Sequence, residues 1–68
     1  MKYFVIEIVT ASGSTAKQIT EKDNIDSAKM LYHQVLASAY ANENVSYAMS
    51  MIVDYNGRID MLEVINKQ

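Results

Sequence analysis

The chain has 68 residues, half of them hydrophobic, a net charge of −2 at neutral pH and no cysteine. That length makes a single domain over residues 1–68 with a net stability of only roughly 3–5 kcal/mol, and without cysteine neither a disulfide nor a thiolate metal site can reinforce it. Six Lys plus Arg give no electrostatic footprint for a phosphate backbone, and −2 is too little charge to imitate DNA, so nucleic acid is disfavoured as a partner.

Residues 1–9, MKYFVIEIV, begin like a secretion signal, but Glu7 interrupts the apolar run and no convincing cleavage site follows. No apolar run reaches the roughly 20 residues of a transmembrane helix, so a soluble chain with no membrane partner is expected. Residues 3–10, YFVIEIVT, are dense in β-branched and aromatic side chains and read as a strand. Phe4, Ile6 and Ile8 share one face, and Tyr3, Val5, Glu7 and Val9 the other. A strand apolar on both faces belongs in the middle of a sheet.

Residues 11–15, ASGST, have turn chemistry, with Gly13 free to adopt positive φ. Residues 16–21 then read as a polar edge strand hairpinned to the first, in which Ile19 is the only large apolar side chain. Residues 24–42, NIDSAKMLYHQVLASAYAN, are the one segment with sustained helical periodicity. Ile25, Ala28, Leu31, Tyr32, Val35, Leu36 and Ala39 form a stripe, Asn24 or Asp23 serves as N-cap, Asp26 suits the helix dipole, and Asn42 suits a left-handed C-cap.

Residues 45–54, VSYAMSMIVD, alternate as a strand, with Val45, Tyr47, Met49, Met51 and Val53 opposite Ser46, Ala48, Ser50, Ile52 and Asp54. Asn56-Gly57 marks a hairpin. A three-residue loop, Tyr55-Asn56-Gly57, with Gly57 left-handed matches Asp54 to Arg58 as charges, Val53 to Ile59, and Met51 to Met61. The last strand covers residues 58–65, with 66–68 frayed. The fold expected is α+β: a two-layer ββαββ unit with a four-stranded, mostly antiparallel sheet and one amphipathic helix on one face.

No catalytic constellation is legible, and neither an enzyme nor a cofactor is expected. His33 stands alone on the helix off the apolar stripe, without the partner a general base needs or the further ligands a metal site needs. The acidic residues are scattered, and of these only Glu7 and Glu63, both mid-strand, offer a carboxylate pair across the sheet. Ser12, Gly13 and Ser14, with His33, are the weak candidates for a small ligand such as a nucleotide or phosphorylated metabolite. The bias is elsewhere, in five Met and five Tyr. With Phe4, Ile6, Ile8 and the Met face placed under the helix, Tyr3, Val5, Val9, Ile52, Leu62 and Val64 fall on the uncovered face as a candidate interface, and a homodimer or larger assembly is expected, built on that face or on the edge of the terminal hairpin.

The segments YHQVLASA at 32–39, FVIEI at 4–8 and VDYNGR at 53–58 resemble a group of small phage and prophage proteins of Gram-positive bacteria, with a VIEI strand and a YHQxLAxA helix. Where those carry AAxS after the helix core, this chain has Ser38, Ala39, Tyr40 and Ala41. The resemblance covers most of the chain and implies a viral protein in the host bacterial cytoplasm or on the virion. It assigns no catalytic residue, and it leaves a non-enzymatic protein-interaction module as the leading expectation: an accessory of virion assembly, or an inhibitor of a host or defence protein.

Overall fold

The computed structural model describes residues 1–67. Strands β1 (Tyr3–Ala11), β2 (Ser14–Lys22), β3 (Val45–Asp54) and β4 (Ile59–Asn66) form one antiparallel sheet in the order β2-β1-β3-β4, and the helix α1 (Ile25–Ala41) covers one face. This is the α+β architecture expected from the sequence. Because β2 and β3 both run antiparallel to β1, they are parallel to each other with β1 between them, and α1 is the crossover that joins them.

The first turn is tighter than its composition suggests. Only Ser12 and Gly13 lie outside the strands, with φ of 52° and 83°, a mirror-image turn whose twist suits the hairpin. Ala11 and Ser14, expected in the turn, pair with each other, and β2 runs through Lys22.

Asn24 caps α1 as expected, its Oδ1 accepting from the Ser27 N–H at 2.8 Å. At the other end Asn42 is extended, at φ −97° and ψ 107°, and not left-handed. Lys67 removes the need for that conformation: its ammonium donates to the carbonyls of Ala39 at 2.7 Å and Asn42 at 3.0 Å, bringing a cation to the negative end of the helix. The Lys67 N–H also donates to the Ser46 carbonyl, and Asn66 belongs to β4, so residues 66 and 67 are held in the sheet where fraying was expected. Gln68 lies outside the described residues.

The β3–β4 loop is Tyr55-Asn56-Gly57, with Gly57 at φ +82° and Val53 opposite Ile59. Beyond that pair a bulge at Asp60 shifts the register, so Met61 faces Ile52 and Leu62 faces Met51, correcting the expected Met51–Met61 pair. The reason is burial: a regular ladder would set the Asp60 carboxylate opposite fully buried Ile52, under the helix. The expected charge match of Asp54 with Arg58 is also corrected. Asp54 Oδ1 accepts from the backbone N–H groups of Asn56 and Arg58, each at 2.9 Å, and these two side chains form no ion pair.

The core lies between α1 and the inner strands, where Tyr32, Leu36, Ala28 and Ala39 meet Val5, Val45, Ala48 and Ile52. Ala48 and Ser50 are fully buried beneath the helix. These small residues leave room for the bulk of Tyr32 and Leu36, and the Ser50 hydroxyl donates to the Tyr32 carbonyl at 3.3 Å. Ala39 is buried and Tyr40 exposed, so the helix end packs through its alanine. No helix among the described residues is long and apolar enough to cross a membrane.

Candidate functional site

The helix covers the opposite face of the sheet from the one expected, and this correction defines the site. Val5 and Ile52 are 1% and 0% exposed beneath α1, and Tyr3 and Val9 pack half-buried against the same core. Four of the six candidate interface residues therefore lie on the helix side, Val5 and Ile52 in the core and Tyr3 and Val9 against it. Leu62 and Val64 lie on the open face as expected, both about half exposed.

Side chains alternate along each strand, so the pairing fixes which residues share that open face. The row through Ile6 reads Ile19, Ile6, Met51 and Leu62 across the four strands. On one side of it lie Glu21, Phe4, Val53 and Ile59, and on the other Lys17, Ile8, Met49 and Val64. Ten of these twelve side chains are apolar. The inner strands' members are half-buried by their neighbours alone, while Ile19 and Ile59 on the edges are 68% and 57% exposed. A fourth row, Thr15, Thr10, Tyr47 and Asn66, is polar, with the Thr10 and Thr15 hydroxyls 2.7 Å apart.

Charge on this face sits at the β2 edge. Lys2 donates to Glu21 at 2.7 Å and to Asp23 at 3.2 Å, and these bonds, Glu21 first, hold its ammonium above the ordinary lysine pKa. Lys17, two rows from Glu21, belongs to no ion pair within the described residues.

The small-ligand candidates do not converge. The Ser12 N–H donates to the Asn44 carbonyl, which fixes Ser12, Gly13 and Ser14 near the C-terminal end of α1. His33 lies nine residues before Asn42, roughly 13 Å away along the helix. It is exposed, its ring edge-on to Tyr32 at 5.0 Å. Glu7 and Glu63 share a row on the helix side but are separated by Ser50, so they sit two strand spacings, roughly 9–10 Å, apart. Burial, reinforced by the charge of Glu63, raises the Tyr32 phenol above its ordinary pKa.

A groove of about 150 Å³ between the end of α1 and β1 is lined by Glu7, Val9, Val35, Ser38, Ala39, Asn42 and Val45, well below the volume of ordinary ligand pockets. Among the described residues no group of three or more His, Cys, Asp or Glu could hold a metal ion.

Sequence reasoning missed Phe4, Ile6, Ile8, Ile19, Met49 and Met51 as surface residues. The signal available was the run of small side chains at Ala48 and Ser50, which suits a closely packed helix better than the methionines do. No protein-family model matches this chain, and no significant match was found among curated proteins or solved structures.

Proposed function

We propose that this chain is a non-enzymatic protein-interaction module that recognises its partner through the open face of the sheet. The observation that carries the reading is the patch of ten apolar side chains in three rows, spanning β1, β3 and β4 and reaching β2 through Ile19, which α1 leaves uncovered. Exposed apolar surface of that extent, rimmed by polar residues, is the usual mark of a protein contact. Its methionines supply adaptable thioethers at the centre. The resemblance at residues 4–8, 32–39 and 53–58 supports a phage origin, and with it a role as an assembly accessory or as an inhibitor of a host protein in the bacterial cytoplasm.

A photo-crosslinking amino acid at position 62, compared with one at Gln34 on the exposed side of the helix, tests this in cells. Protein adducts at 62 and none at 34 are expected, whether with a second copy or another chain. Equal labelling at both positions, or none at 62, overturns the reading. So would a saturable thermal stabilisation by nucleotides or phosphorylated metabolites that is lost in His33→Ala.

A further inference from the structure

Resting on the reading of the open face as a recognition surface, we propose that its occupant is a second copy of this chain, docked sheet to sheet about a twofold axis. The axis runs across the strands along the row Ile19, Ile6, Met51 and Leu62. Rotation about it lays the row of Glu21, Phe4, Val53 and Ile59 over the partner's row of Lys17, Ile8, Met49 and Val64, and the reverse. Every apolar side chain in these rows then meets an apolar one.

The charges select this axis. At the β2 edge, Lys2, Glu21 and Asp23 cluster with a net charge of −1, within 3.2 Å of one another through Lys2. The rotation sets Lys17 of one copy over that cluster in the other, twice by symmetry, as an isologous interface requires. A twofold axis along the strands would instead lay Lys17 on Val64 and Glu21 on Ile59, desolvating charges without partners. Two facing sheets related in the proposed way also pack aligned, the common arrangement of sandwiches. The polar row of Thr15, Thr10, Tyr47 and Asn66 stays outside the contact as its rim.

The area suffices. Four strands about 4.8 Å apart and three rows about 6.7 Å apart give a footprint on the order of 400 Å² per copy. The pair therefore buries on the order of 800 Å², in the range of weak, transient interfaces, so a dimer no tighter than micromolar is expected.

Sedimentation velocity across the micromolar range is the test. The wild-type chain should pass from monomer to dimer, and Leu62→Glu, which brings two carboxylates together on the axis, should weaken the dimer at least tenfold while keeping the wild-type circular dichroism. Met51→Glu provides a second variant should Leu62→Glu fold poorly. Lys17→Glu and Glu21→Lys should each weaken association several-fold, and the double exchange should restore it. Within one copy these residues are separated by Ile19, so restoration requires apposition between copies. The chain has no native cysteine, so a short bis-maleimide should join Ile19→Cys, which meets its own twin, and leave Thr15→Cys monomeric. A monomer at every concentration, a dimer indifferent to Leu62→Glu and Met51→Glu, or an exchange that fails to restore association overturns the proposal. If the chain is monomeric and position 62 crosslinks to another protein, the recognition face stands and the second copy falls.

Discussion

At Asp54 a single carboxylate organises the hairpin that carries Leu62 and Val64. Its Oδ1 accepts two backbone N–H groups of the loop, so Asp54→Ala should cost about 1–2 kcal/mol, more than loss of an exposed ion pair, while Asp54→Asn keeps an acceptor and should cost less. Urea unfolding of the two variants checks this, and equal losses would mean that the charge, not the acceptor, matters. Tyr32 gives a pH signature. Its phenol is raised by burial and by Glu63, so the folded chain keeps a proton that the unfolded chain releases near pH 10. Stability from the neutral phenol is whole below that pH and falls as the pH rises through the window. In Tyr32→Phe, unfolding curves from pH 8 to 11 should show a shallower alkaline decline than wild type. Lys2, also raised, titrates in both proteins and cancels from the comparison.

Elements were largely legible in the sequence, and their facing was not. Asn24, Gly57 and the stripe of Tyr32, Val35 and Leu36 announce themselves because capping, positive φ and helical period are local properties. Which face of β1 meets the helix is not local: Phe4, Ile6 and Ile8 are as apolar as Tyr3, Val5 and Val9, and the choice is made by Ala48 and Ser50 on another strand. The end of α1 was misread for the same reason, since its cap comes from Lys67, twenty-five residues beyond Asn42. Lys67→Met should lower stability by about 1 kcal/mol, and the loss should shrink in high salt. An unchanged melting temperature would assign those carbonyls to solvent. The bulge at Asp60 is a further non-local feature, as is the register shift that skips Ser46 between β1 and β3. Deleting Asp60 removes the extra residue and leaves Met61 opposite Ile52, so the deletion variant should fold. Deleting Glu63 instead turns Val64 inward and Ile65 outward and should abolish the cooperative melt.

At the scale of the molecule, the described chain is a thin slab, with Cα extents of 36 × 18 × 14 Å, one sheet and one helix deep. The class of fold follows from the order of its elements, whereas the open face emerges only when pairing is known, since it gathers side chains from all four strands. The crossover has a consequence for how the slab comes apart. β1 is bonded on one side to β2, its sequence neighbour, and on the other to β3, more than thirty residues away, with α1 resting on both inner strands. An edge strand can detach and leave that arrangement intact. Parting β1 from β3 separates the two hairpins and strips the helix of its support at once. Native-state hydrogen exchange should therefore give the central β1 and β3 amides one shared opening free energy, equal to that of global unfolding, while β2 amides show a smaller one through local release. The middle of the sheet thus acts as a latch between the two hairpins, and no part of it should open without the whole.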